Sequence, residues 1–216
     1  MSSVSLQNLK RMHDEVHHPH PRMKAEDRRE LILAAAMGVF GDYGYVGTTT
    51  DQVARAAGVS QPYVVRMFGT KEKLFVAVLE RALAKLFEVF RAALAEESDE
   101  PVARRMGLAY LGLLSEHGLL LSLSHSFLLG SDPVIGATAR RGFMEVYAFL
   151  RHEVGFSPEE CHQFLSAGML SNTMIGLRMT DQYDIDPQAR EVLLACFPEK
   201  LDVVLSLGEA YRPGPK

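Results

Sequence analysis

Apolar positions along the chain recur at intervals of three and four, and β-branched runs alternating with polar residues between turn pairs are missing, so the pattern predicts an all-α protein. From Glu26 to Tyr43, the residues Ile32, Ala35, Ala36, Val39, Phe40 and Tyr43 fall on one helical face, with Gly41 and Gly44 read as the stop. Further helices are predicted from Lys71 to about Ala95, Pro101 to His117, Leu119 to Leu129, Pro133 to Val154, Pro158 to Met179 and Pro187 to about Ala210. The breaks between them, "EESDEP", "GSDP", "GFSP" and "DQYDIDP", combine Gly exits, Ser or Asp caps and Pro at a first helical turn. Residues 1–24 lack this period and read as a disordered tail.

The run "TTTDQVARAAGVSQPYVVRMFGTKEKLF", Thr48 to Phe75, is interrupted by Gly and Pro yet too ordered for a linker. Thr49 and Gln52 have the spacing of a capping box, which starts a short helix carrying Val53, Ala54 and Ala57 inward. Gly58 supplies a left-handed turn, and Ser60 is placed to cap a second helix that opens on Gln61 and Pro62 and runs to Phe68. Gly69 stops that helix, and Thr70 caps the next, which begins at Lys71. Two short helices joined by a tight turn form a helix-turn-helix, whose second helix enters the major groove of DNA.

At these residues the chain resembles the TetR family of bacterial transcriptional repressors. The likeness runs through "LILAAAMGVFGDYGY", the threonine pair, "VARAAGVS" and "FGTKEKLF", and covers residues 31–75 with the family's spacing. It implies a three-helix DNA reader over residues 25–72, a helical ligand-binding and dimerisation domain over 73–216, and a homodimer on double-stranded operator DNA. "FLSAGMLSNTMIGL", Phe164 to Leu177, looks like the family's first dimerisation helix. At Val65 the family usually carries a tyrosine and at Met67 often a histidine, both used on the DNA backbone.

The residue chemistry runs parallel to the resemblance. The Gln61 carboxamide can meet a base edge with two hydrogen bonds, Pro62 offers an apolar face to a thymine methyl, and Tyr63 can touch a base or a phosphate. Arg66, one turn on, can reach a guanine or a phosphate, while Thr49 and Lys71 at helix starts suit phosphate contacts that fix the docking. Ser60, at the entry to the same helix, completes the set of candidate DNA-facing residues.

Net charge is −4, which argues against a wholly basic nucleic-acid coat, but the distribution is uneven. Up to Lys73 there are ten Lys plus Arg against eight Asp plus Glu, and from Leu74 onward thirteen against nineteen, so the basic share lies at the front. No apolar run is long enough to span a bilayer and the first residues lack a signal-peptide order, so a cytoplasmic protein away from membranes is expected. Cys161 and Cys196 lie far apart with no CxxC spacing, which suggests neither a disulfide scaffold nor a zinc knuckle. His13, His17, His18 and His20 sit in the tail beside prolines, so no metal and no cofactor is expected. "SLSHS", Ser122 to Ser126, has neither a glycine elbow nor an acid to orient His125, and an enzyme is not expected.

The second half supplies candidates for an effector pocket in Met106, Tyr110, His125, Phe127, Met144, Tyr147, Phe164 and Met169, with Ser122 and Ser124 as polar neighbours. A stripe of Phe164, Gly168, Ser171, Ile175 and Met179, beside Val192, Ala195, Phe197, Leu201 and Val204, is the expected dimer surface. The leading expectation is a repressor released from its operator by a small apolar effector. The alternative is a helical small-molecule-binding or interaction module that keeps the N-terminal helices only for packing.

Overall fold

The computed structural model describes residues 24–210, and every regular element among them is helical. The tail expectation and its histidines lie outside the described residues, apart from Lys24. Ten α-helices follow in order: α1 (Ala25–Gly47), α2 (Thr50–Ala56), α3 (Gln61–Phe68), α4 (Lys71–Ala95), α5 (Val102–Gly112), α6 (Leu119–Phe127), α7 (Ile135–Phe149), α8 (Pro158–Gly176), α9 (Pro187–Cys196) and α10 (Leu201–Ala210). Below, α1–α3 are the head and α5–α10 the body, and α4 reaches from one to the other.

The head closes around aromatic rings: Phe40 of α1 and Phe75 of α4 lie 4.6 Å apart, and Tyr45 lies 5.3 Å from Phe75. Ile32, Val53, Val64 and Phe75 are fully buried around them, which ties α1 and the two short helices α2 and α3 to the start of α4. The capping box is present, with Gln52 Oε1 accepting the Thr49 N–H at 2.7 Å and Thr49 Oγ1 accepting the Gln52 N–H at 3.2 Å. Gly58 takes φ +64° in the turn and Gly69 φ +80° after α3, the left-handed conformations that favour glycine.

One glycine departs from the sequence expectation. Gly44 does break α1, at φ 65° and ψ 176°, but Gly41 stays helical and buried because a second glycine presses on it. A Cβ on Gly41 would lie 3.0 Å from the Gly118 carbonyl oxygen and closer still to Gly118 Cα, so two backbones meet here with no side chain between them. Around this contact, Ser122 Oγ donates to the Met37 carbonyl at 3.1 Å and His125 Nε2 donates to the Gly41 carbonyl at 3.2 Å. Head and body are therefore joined through α1 and α6 as well as through α4.

His117 adds an ion pair to that junction, its Nε2 lying 2.9 Å from Asp42 Oδ1. The hydrogen bond to the Asp42 carboxylate raises the pKa of His117 above its ordinary value, against a smaller opposing effect of burial. A raised folded-state value means that the stabilisation is full below the ordinary histidine pKa and is lost as pH rises through the folded one. Thermal unfolding between pH 6 and pH 8 should thus show stability falling with pH. Asp42→Asn should flatten that slope, and an unchanged slope would remove the pair from the explanation.

In the body, Phe90 gathers Phe149, Phe164 and Tyr110 at 6.0, 5.8 and 6.3 Å. The helix expected from Pro187 to Ala210 is two, because Phe197 precedes Pro198 and leaves helical geometry at φ −129° and ψ 54°. The expected dimer stripe is turned the other way. On α8, Ser171 is buried, Phe164 and Gly168 face the interior and Ile175 is half-buried, whereas Leu170 and, at the C-cap, Leu177 point outward at 45% and 64% exposure. Phe197 and Val204 are likewise buried and Val192 and Leu201 half-buried, whereas Ala195 of the expected set is exposed, as are Leu194 of α9 and Val203 of α10. α8 is apolar on both sides, and its packing on α5 and α6 takes this stripe for the core.

Candidate functional site

The first turn of α3 presents a small polar and apolar surface at the edge of the head. Pro62, Val65 and Arg66 are exposed, Gln61 and Tyr63 are half-buried, and Val64 and Phe68 anchor the helix from behind. Gln61 Nε2 donates to Thr50 Oγ1 at 3.2 Å, which parks the carboxamide across the turn between α2 and α3. The Tyr63 ring lies between two guanidinium groups, with Arg28 of α1 at 5.3 Å and Arg66 at 4.8 Å from its centroid. No carboxylate contacts either arginine among the described residues, so the pair leaves positive charge beside α3. Arg28 was not legible as a partner of this site, since it comes from another helix with no spacing relation to α3.

Three residues on the same surface are placed differently from the sequence expectation. Thr49 donates its hydroxyl proton to Gln52 Oε1 at 3.0 Å while accepting the Gln52 N–H, so its capping role leaves no proton for a phosphate in this arrangement. The Ser60 side chain makes no capping hydrogen bond, because Pro62 has no N–H and the Tyr63 N–H goes to the Ser60 carbonyl instead at 3.0 Å. Lys71 reaches back to the end of α1, donating to the carbonyls of Tyr45 at 2.9 Å and Thr48 at 3.0 Å. Its ammonium also sits 4.5 Å from the Tyr45 ring centroid, which leaves one N–H for any outside partner. Met67, in the place of the family's frequent histidine, packs against the core.

A cavity of about 250 Å³ lies inside the body, bounded by α4, α5, α6, α7 and α8. Tyr110, Phe127, Phe164 and Met169 line it, together with Leu83, Leu86, Phe90, Ser126, Thr138, Gly142, Ser171, Asn172 and Cys196. The other four pocket candidates lie elsewhere. Met106 is fully buried in the core, Met144 is 58% exposed, Tyr147 packs on the core's outer side, and His125 faces the α1 junction. Ser122 and Ser124 also turn away, the latter donating to its own helix at the Leu120 carbonyl, 2.9 Å.

Asn172 was missed, although a polar residue within the inward apolar stripe of α8 was a signal for it. Its Oδ1 accepts the Tyr110 hydroxyl at 2.8 Å, and burial pushes the Tyr110 pKa up to about 12, so the phenol keeps its proton. A second cavity, of about 270 Å³, lies at the head–body junction beside Asp42, Tyr43, His117, His125 and Arg178. Among the described residues no group of three or more His, Cys, Asp and Glu forms a metal site, and no single helix is long and apolar enough to cross a membrane.

Residues 32–78 match the family described as bacterial regulatory proteins, tetR family. The chain is 38% identical over 78 residues to the transcriptional activator FasR of Mycolicibacterium smegmatis, 36% of each chain. It is 39% identical over 56 residues to the transcriptional regulator RutR of Escherichia coli K12, 26% of each chain. These matches span about a third or less of the length of the curated relatives, and the family match covers α1 to α3 and the first turns of α4. Among solved structures, a TetR-like regulator from Rhodococcus sp. RHA1 superposes with a TM-score of 0.56 at 22% identity, covering 88% of this chain and 100% of that one. A tetR-family regulator from Streptomyces coelicolor gives 0.51 at 22% identity over 88% and 92%. Residues 32–78 thus match the tetR family of bacterial regulatory proteins in sequence, and over 88% of its length the chain has the fold of TetR-family regulators.

Proposed function

We propose that the protein is a homodimeric, sequence-specific regulator of transcription whose operator affinity is set by a small effector. The observation that carries this reading is the surface of α3, where Gln61 and Pro62 open the recognition helix beside Tyr63 and its two guanidinium groups. In the major groove, Gln61 would exchange its Thr50 partner for a base edge, and Arg28 and Arg66 would meet phosphates or guanine. Residues 25–72 are the reader, and residues 73–216 hold the effector cavity and the dimer surface. Relatives include an activator and a repressor, and release of a repressor from its operator is the form proposed here. α4 begins in the reader and its later turns line the cavity, so a ligand that binds better to a tilted head would lower operator affinity by about 5- to 150-fold.

The test is selection of bound sequences from random duplex DNA, followed by titration of the selected operator. Gln61→Ala should lose roughly 1 to 3 kcal/mol of discrimination at one base pair per half-site. Arg28→Ala should instead weaken all sequences alike and lower the salt slope by about 1. A uniform loss for Gln61→Ala would remove it from base readout, and failure to enrich any sequence would refute the proposal.

A further inference from the structure

We propose that the effector is an uncharged, largely apolar molecule carrying a hydrogen-bond acceptor that is read by the free amide nitrogen of Asn172. This rests on the reading of the body cavity as the effector site and adds the chemistry of what fills it. No Asp, Glu, Lys, Arg or His lines the cavity, so an ion entering it would lose its hydration and find no opposite charge. Its one thiol, Cys196, is kept neutral by burial, which raises its pKa.

The polar groups that do line it have mostly used their protons. Ser126 donates to the Leu123 carbonyl at 2.6 Å, Thr138 to the Val134 carbonyl at 2.9 Å and Ser171 to the Ala167 carbonyl at 2.9 Å. Tyr110 donates to Asn172 Oδ1, which holds the amide in one orientation and leaves its two N–H donors without a protein partner among the described residues. Asn172 is only 6% exposed as a residue and lines the cavity, so the surface left to its amide is met by whatever enters there. A ligand carbonyl or ether oxygen would accept from that nitrogen.

Size follows from volume. A dry cavity of roughly 150 Å³ takes a benzene ring, so the 250 Å³ here fits about ten non-hydrogen atoms. Gly142 gives a means of adjusting that space. A Cβ there would lie 3.2 Å from Leu83 Cδ2 and closer to Cδ1, and the flexible end of Leu83 would be displaced toward the cavity it lines.

The experiment titrates four probes of about ten non-hydrogen atoms into the full chain by calorimetry: propylbenzene, propiophenone, 3-phenylpropanoate and 3-phenylpropylammonium. Propiophenone should bind roughly 2- to 12-fold tighter than propylbenzene, and both ions more weakly than either. Asn172→Leu should erase the ketone's advantage. Asn172→Asp, which keeps the Tyr110 bond, should erase it and favour the ammonium. Gly142→Ala should weaken both neutral probes alike. Tighter binding of an ion to the unmodified chain, or a ketone advantage that survives both Asn172 variants, would overturn the proposal; if neither variant folds, the unmodified chain's ranking decides. No binding by any probe would overturn the cavity as a ligand site. The expected ranking with no change in operator affinity would leave this inference standing and refute effector control of DNA binding.

Discussion

Gly118→Ala is expected to destabilise the protein by about 2 to 5 kcal/mol, because two independent costs meet at this residue. Its φ is +77°, where an L side chain costs roughly 1 to 2 kcal/mol. A Cβ there would also lie 2.8 Å from Gly38 Cα and closer to the Met37 carbonyl oxygen, which are backbone atoms of α1 and cannot swing aside. Relieving that overlap means separating α1 from α6, at about 1 to 3 kcal/mol. Gly58→Ala is the matched control: its φ is +64° but nothing lies within 4 Å of the new Cβ, so only the conformational cost applies. Gly41→Ala isolates the other term, since Gly41 is helical and only the contact with Gly118 opposes a methyl. Thermal unfolding of the three variants should rank Gly118→Ala lowest, and equal losses for Gly118→Ala and Gly58→Ala would rule out close packing of α1 on α6.

That junction also shows what was legible in the sequence and what was not. Caps other than that of Ser60 were readable, because a capping box, a Pro at the first turn and a left-handed glycine are decided by residues within three or four positions of each other. Thr49 with Gln52, Thr70 with the Lys73 N–H, and Gly58 therefore stand where their spacing put them. Gly41 was read as a helix stop by the same local logic, and that failed because its role is set by Gly118, far along the chain. The head was readable as a unit since its motif is contiguous, whereas Arg28 joins Tyr63 only through the packing of α1 on α3.

The cavity resisted sequence reading for a related reason. Met106 and Tyr110 lie one turn apart on α5, yet one fills the core and the other borders the space. Which of them faces a void depends on how α4 to α8 cross, and no spacing within one helix encodes that. The hydroxyls of Ser122, Ser124 and Ser126 are separated by two residues each, and only Ser126 turns to the cavity. α8 was ambiguous in a different way, being apolar on both sides, so its period could not say which side the core would take.

The outward side of α8 carries the other large expected effect. Leu170 and Leu177 are 45% and 64% exposed there, and Leu194 and Val203 show comparable exposure on α9 and α10, the former packed beside α8. Exposed leucines in this number favour a partner surface, and a second copy of the chain would bring its own α8 and α9 against them around a two-fold axis. Such a dimer would place two α3 helices on half-sites about 34 Å apart or a multiple of it. The double substitution Leu170→Glu with Leu177→Glu should therefore halve the mass in sedimentation and weaken binding to the full operator by roughly 10²- to 10⁴-fold, since the second head would no longer be held near its half-site. Affinity for an isolated half-site should stay as it was, because α3 is untouched. Ile175→Glu should behave differently: it lies among half-buried residues beside the junction cavity, so it should lower the unfolding temperature rather than dissociate folded chains. A double variant that sediments unchanged would move the dimer surface elsewhere, and a monomer that kept full operator affinity would remove the need for two heads.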